Sequence, residues 1–401
     1  MTSAARPLTG AVVLGTLIVL AACGGSAAAP AASPAASTAA QSTPPSAAGS
    51  GAGTAPGQAA SGAVDPAMQQ LIDGARKEGQ LDLVWGYGTV GDSTGVGPFA
   101  DGFNKAYGLN VKVNYTPGPD MATFSANVVQ AVKAAKAPQT DVYLGFPENY
   151  LQLTLGDAME QVDWSWAPNI KDKDPGMLAP KGIGVAIQDG IPDITYNSQR
   201  LKGDQVPQAL ADLLKPQYKG HIASTPYAAH FAELGTDQFW GPQKLNDYLT
   251  KFSQQVAGLI RCNEQSRIAS GEFDVLAIDC AQNTPDRAKA QGQPIDWVVP
   301  SDAAMVDLIY MGVPKLAVHP DAAKLFINYM ASKEAQDLTY KIDYGDTHFV
   351  PGSHTAQLLD GLKAKGVKIT PIDVQWEQAS ASTIADLTKK DMAILATAAP
   401  K

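Results

Sequence analysis

"LDLVWGYGTVGDSTGVGPFADGFNKAYGLNVKVNY", Leu81 to Tyr115, decides the fold. It opens with a short apolar run of strand length. Phe99, Phe103, Ala106 and Tyr107 then share one helical face, and Gly108 stops the helix. Leu109, Val111, Val113 and Tyr115 alternate as a second strand. Strands separated by helices predict βαβ units and a mostly parallel sheet. In such sheets ligands sit beyond the carboxyl ends of the strands.

Outward from this unit the alternation continues. Asp65-Pro66 is an N-cap followed by proline at the first helical position, with Met68, Leu71, Ile72 and Ala75 on one face. Downstream, Phe124, Val128, Val132 and Ala135 form a helical stripe ended by Pro138, and "TDVYLGF" is a third, buried strand. From Gly182 to Pro300 the pattern restarts with "GVAIQDGI", "DITYNS", a helix near Pro207–Leu214, "GHIAS", a helical region with Phe239 and Leu245–Phe252, and "FDVLAID". The chain then closes with "AMVDLIYMGV" and one strong amphipathic helix, "DAAKLFINYMASKEAQDLTY", whose first apolar face holds Ala323, Phe326, Ile327 and Met330. The expectation is two α/β lobes with the chain passing between them.

Residues 1–22 contain Arg6, no acid, and an apolar run from Ala11 to Ala22. That run is short and early, so it reads as a signal-peptide core. It ends "LAAC", which resembles a bacterial lipobox; the resemblance implies cleavage before Cys23 and acylation of its thiol. The following 23–64 segment is Ala, Ser, Gly, Pro, Thr and Gln over nearly all its length. Such a composition cannot bury a core and predicts a flexible tether. Without its leader the chain is one unit more negative than the formal −9 of the whole. An acidic body with no Lys/Arg block argues against nucleic acid and anionic membranes.

Three segments then carry a family resemblance. "LIDGARKEGQLDLVWGY…FADGFNKAYGLNVKV", "ITYNSQRLKG…VPQALADLLKPQYKGHIAS" and "GVPKLAVHPDAAKLFINYMASKEAQ" resemble, in order, segments of bacterial solute-binding proteins of ABC importers. The resemblance is to the iron-, polyamine- and phosphonate-type receptors with the type 2 periplasmic-binding fold. It implies an α/β fold of two lobes with mostly parallel sheets and a hinge of crossing strands. Lobe 1 would comprise 65–185 and 305–401, and lobe 2 186–304. The crossings would lie near "AIQDGIPDITYN" and "VVPSDAAMVDL". The implied function is an extracytoplasmic receptor, lipid-anchored and monomeric, that captures a small polar solute and delivers it to an ABC permease. Iron, polyamine, phosphonate and amino-acid-like solutes stay open, and no resident cofactor, metal or nucleic acid is expected. A receptor that signals without transport would share these features.

Two motifs point elsewhere. "GYGTVG" matches G-x-G-x-x-G at Gly86, Gly88 and Gly91, but the next strand lacks the acid that would hold a ribose. "GDST" resembles the nucleophile block of an esterase, which makes an exported hydrolase using Ser93 the rival reading. Its base is missing: the nearest late match, Asp346-Thr347-His348, has the wrong spacing. The five histidines form no H-E-x-x-H set, and no Tyr-Tyr doublet supports iron, although Tyr196, Tyr227 and Tyr344 stay open as oxygen ligands.

Candidate solute contacts come from strand ends: Trp85 and Tyr87, Phe146, Thr225 and Tyr227, and Asp279. Cys262 and Cys280 bracket "NEQSRIASGEFDVLAID". Asn263 can cap a short helix there, with Glu264 in its first turn and Gly271 at its end. A helix antiparallel to its following strand brings the two cysteines to one edge, so a disulfide is expected. Arg261 and Asp279 would then flank the solute, or pair with each other. Neither metal ligation nor a redox pair has the right cysteine spacing.

Overall fold

A computed structural model describes residues 65–86, 90 and 92–398, the side chains of 92 and 93 excepted. The expected leader, Cys23, the tether and Tyr87 lie outside the described residues.

Helix α1 (Pro66–Glu78) starts as its capping pair predicts: the Asp65 carboxylate accepts from the Ala67 amide at 2.8 Å. Gly79, with φ +66°, ends it in the left-handed conformation that glycine adopts without steric cost. Strand β1 (Gln80–Gly86) and β2 (Lys112–Gly118) pair in parallel on either side of α2 (Asp92–Tyr107). This is the βαβ unit read from the sequence. Helix α3 (Met121–Lys133), β3 (Tyr143–Gly145) and α4 (Pro147–Leu155) follow. The chain before β3 is tied to β1 by Asp141 N–H on Asp82 O at 2.8 Å.

Strand β4 (Val185–Gly190) belongs to a sheet with β3, β10 (Met305–Gly312) and β11 (Thr370–Ile372). Two residues later β5 (Asp193–Asn197) belongs to a different, five-stranded sheet, ordered β7-β6-β8-β5-β9. Its other members are β6 (Ile222–Ser224), β7 (Val256–Leu259), β8 (Val275–Asp279) and β9 (Ile295–Val298). The chain returns between β9 and β10. It therefore crosses between sheets at 191–192 and again at 299–304.

The sheets are not mostly parallel. β1–β2, β10–β11, β6–β7 and β6–β8 are parallel; β10–β3, β10–β4, β5–β8 and β5–β9 are antiparallel. The crossing strands cause this. A strand arriving from the other lobe enters its sheet against the local direction, and every antiparallel pair contains β5 or β10.

The β1–β2 pair and the four-stranded sheet share one core, and the five-stranded sheet packs largely against two others. Leu81, Leu83, Trp85, Phe99, Phe103 and Phe326 pack in the first. In the five-stranded sheet, successive residues of β8 alternate faces. Val275 and Ala277 join a core with Phe231, Leu249 and Phe252, while Leu276 joins Ile260, Ile268 and Phe273 on the opposite face. Both faces are covered, which is why "FDVLAID" reads as a continuous apolar run.

The second lobe's helices are α5 (Phe231–Leu234), α6 (Pro242–Phe252), α7 (Gln265–Ala269) and α8 (Asn283–Ala290). The helix expected near Pro207–Leu214 is a 3-10 turn, Leu210–Leu214. The long helix expected from Asp321 to Tyr340 is two: α9 (Pro320–Met330) and α10 (Lys333–Asp343). Ser332 interrupts it by accepting from the Ala335 amide as a new N-cap. Helices α11 (His354–Ala364) and α12 (Val374–Ala396) complete the chain, with α12 packed on α4, α5 and α6.

Candidate functional site

Where β6 ends, Thr225 turns the chain by accepting the Ala229 amide on Oγ1 at 2.8 Å. Tyr227 follows, 40% exposed, and its hydroxyl accepts from the Cys262 amide at 3.0 Å. Cys262 and Cys280 form the expected disulfide, with Cα atoms 5.7 Å apart. The helix between them starts at Gln265, two residues beyond the predicted Asn263 cap, and ends before Gly271, whose φ is +78°. Thr225, Tyr227 and both cysteines thus form one rim.

Asp279 ends β8 but does not face solvent. It is fully buried, accepting from Gln265 Nε2 at 2.7 Å, Thr195 Oγ1 at 3.0 Å and the Cys280 amide at 2.8 Å. Burial pushes its carboxyl up to about 6 against these three hydrogen bonds. Arg261 is exposed and makes no ion pair with Asp279; its amide donates to Glu264 at 2.6 Å. Trp85 is a core side chain, 1% exposed, donating from Nε1 to Val142 O at 2.8 Å. Phe146 is half-buried at the start of α4, where its amide donates to Asn149 Oδ1 at 3.1 Å. Ser93 lies in the first turn of α2, and nothing is described of its side chain.

The late acid–histidine stretch singled out for a hydrolase is occupied structurally. His348 Nδ1 sits 2.7 Å from Asp189, and Asp346 takes the amides of His354 and Thr355. All five histidines stand within 4 Å of an aspartate, including His221 on Asp274 and His319 on Asp141.

A group that sequence reading missed lies where α4, α5, β10 and α12 meet. Glu148 is in the first turn of α4, Glu233 in α5, Asp307 within β10, and Glu377 and Asp391 on α12. Among the described residues no salt bridge or side-chain hydrogen bond satisfies these carboxylates, apart from His230 Nδ1 at 3.6 Å from Asp307 Oδ2. Burial, then mutual repulsion, pushes Glu148 and Glu377 up to about 7. Burial pushes Asp307 to about 6, with the nearby His230 working against it. Glu148 nevertheless keeps more than a third of its surface accessible. The sequence held one signal for the group: Asp307 is a lone acid inside the apolar run "AMVDLIYMGV".

Comparison with known proteins adds the family. The family model described as bacterial extracellular solute-binding protein matches residues 146–369. An uncharacterized protein of Haemophilus influenzae is 27% identical over 277 residues, 63% of this chain and 75% of that protein. The Fe(3+)-binding periplasmic protein of Serratia marcescens is 30% identical over 138 residues, 34% of this chain and 38% of its own. Among solved structures, the periplasmic binding protein AfuA of Actinobacillus pleuropneumoniae, bound to exogenous fructose-6-phosphate, superposes with TM-score 0.58 at 24% identity. That match covers 79% of this chain and 98% of AfuA, and shows the shared two-lobe fold.

Proposed function

The chain belongs to the bacterial extracellular solute-binding proteins, receptors of ABC importers, and from that premise we propose that it captures a small polar solute between its lobes. The observation that carries this is the double crossing. Among the described residues the chain passes between the four-stranded and five-stranded sheets at 191–192 and 299–304 alone. Two lobes joined by short crossings can close on a solute that bridges them, and differential affinity for the closed form drives closure.

We assign lobe 1 to 65–185 and 305–401, and lobe 2 to 186–304, with α12 also resting on lobe 2 through Trp376, Leu387 and Leu395. Phe146, Thr225, Tyr227 and Arg261 line the proposed opening. Trp85 and Asp279 support it from within. The relatives bind chemically unlike solutes, ferric iron in one and a sugar phosphate in another, so kinship leaves the solute undetermined. The proposed anchor is a lipid on Cys23, with 23–64 as tether; among the described residues no helix is long and apolar enough to cross a membrane.

Mass spectrometry of material released on unfolding the purified chain tests the receptor reading, followed by calorimetry with ferric citrate, diamines, phosphonates and amino acids. One saturable solute is expected. No released solute and no binding in any class would sink it. Radiolabelled palmitate should enter the wild type and not Cys23→Ala.

A further inference from the structure

We infer that the edge of lobe 1 where its strands begin is a docking face for an anionic phospholipid surface. It lies at the other end of the strands from Phe146 and does not depend on which solute is bound. Strands β1, β2 and β3 start at this edge, and β10 ends at it. Hydrogen bonds hold its parts side by side. The Lys112 amide donates to Gly79 O at 3.0 Å, the Val318 amide to Asp141 Oδ1 at 2.9 Å, and the Lys315 amide to Ala158 O at 2.8 Å.

The first mark of this edge is apolar. Among the described residues five large hydrophobic side chains are exposed, and the three most exposed stand here: Leu155 at 77%, Val318 at 57% and Leu316 at 51%. Exposed apolar residues scattered singly need no cause, but a group of them does. Leu155 ends α4, and Leu316 and Val318 lie in the stretch after β10. Leu316 is held at φ +64°, a conformation that costs a leucine energy, and there its side chain meets water. Neither cost serves the fold. Nearby is a cavity of about 300 Å³, lined by Leu153, Met159 and Ile183, with Lys181 on its wall.

The second mark is charge. The chain carries a formal −9 and no lysine block in its sequence, which is why composition argues against an anionic membrane. The fold assembles a basic edge from scattered positions. Lys77 lies in the last turn of α1, Lys112 starts β2, Lys133 ends α3, and Lys136 follows it. These four and Lys181 are exposed and, among the described residues, make no ion pair. The acids beside them are engaged: Asp157 with Lys315 at 2.6 Å, Glu78 with the amides of Asp321 and Ala322, and Asp141 with His319 and two amides. Helix C-termini favour lysine one at a time, but Lys112 and Lys136 lie outside any helix. Apolar tips among unpaired lysines match a lipid interface, the tips entering the acyl boundary and the ammonium groups facing phosphates. A receptor standing on this face keeps the far ends of its strands, and Phe146 with them, turned toward incoming solute.

Vesicle flotation tests this with Gly62–Lys401, a compact unit that holds all three cores and lacks Cys23. Vesicles of mixed phosphatidylglycerol and phosphatidylcholine are expected to carry the protein, and pure phosphatidylcholine vesicles are not. Salt at about 0.5 M should release it. Lys133→Glu with Lys136→Glu should weaken binding at least about tenfold. Leu316→Gly removes a tip and relieves its backbone, so it should melt no lower than the wild type while binding falls about threefold. Leu155→Ser, at a fully solvated position, should do the same. No flotation on the anionic vesicles overturns the proposal, as does equal flotation on phosphatidylcholine. Anionic binding that neither the lysine pair nor the leucine variants reduce overturns it too. Silence on vesicles together with slower solute uptake by cells carrying Leu316→Gly would give the face to a protein partner instead.

Discussion

Thr195 has one hydroxyl proton and two carboxylates to serve, Asp193 Oδ1 at 2.8 Å and Asp279 Oδ2 at 3.0 Å. It can donate to only one. Asp279 already takes two further donors, whereas Asp193 Oδ2 has no partner and the whole residue is buried. The consistent assignment is a neutral Asp193 that donates to Thr195, which donates to a charged Asp279. Burial and the neighbouring Asp279 push the Asp193 carboxyl well above its ordinary range. The folded chain therefore binds a proton that the unfolded chain releases, and stability falls as pH rises from the usual carboxylate value through the raised one. Asp193→Asn should remove this slope: wild type and variant diverge with pH in the variant's favour. Urea unfolding at pH 5 and pH 8 checks it; parallel slopes would refute the assignment. Asp279→Asn should instead destabilise, because it turns a charged acceptor of three hydrogen bonds into an amide. The sequence placed Asp279 and Trp85 at strand ends but could not say which way they point. Strand alternation gives relative facing, and the two side chains turn inward, where Thr195 and Val142 satisfy them.

At the scale of elements, the helices and strands with strong apolar stripes were legible and the interrupted ones were not. The stripe of α9 runs on into α10, so one helix was expected. The break depends on a single hydroxyl, and Ser332→Ala should cost about 1 kcal/mol, read from denaturant midpoints. Helix α12 escaped notice because Ser380 and Asp391 occupy its buried positions beside Val374, Trp376, Leu387 and Leu395. Its start was readable in Asp373, which accepts the Trp376 amide at 2.7 Å. With α12 went two carboxylates of the acidic group, so the group could not be assembled from sequence. The disulfide was found because it depended only on element order and compartment. It closes a loop of sequence separation 18. Cys262→Ser with Cys280→Ser should lower stability by about 3 kcal/mol on the chain-entropy argument, measured by urea unfolding; an unchanged midpoint would contradict it.

For the whole molecule, the two lobes were legible from the restart of the α/β pattern and the crossings from the family resemblance, but strand direction was not, since alternation carries no polarity. Besides α12 on α5 and α6, an ion pair ties the lobes away from the crossings. Arg287 on α8 pairs with Asp343 at the end of α10, and Gln188 Nε2 also donates to Asp343 at 3.3 Å. Asp343 is 3% exposed, so removing its cation leaves a buried carboxylate without a counter-charge. Arg287→Ala should cost about 1–3 kcal/mol and enlarge the radius of gyration of the solute-free chain in small-angle scattering. An unchanged scattering curve would deny the pair any part in setting the spacing of the lobes. The cystine has a wider reach than its loop. Through the Cys262 amide it holds Tyr227, and through the Cys280 carbonyl it holds His230. Both grips depend on oxidation, which the exporting cell supplies only beyond its membrane. A copy stranded in the reducing cytoplasm should therefore bind its solute poorly and leave the cell's internal pool alone. Export would then act as the step that arms the receptor, and titrating the purified chain with and without dithiothreitol would measure the difference.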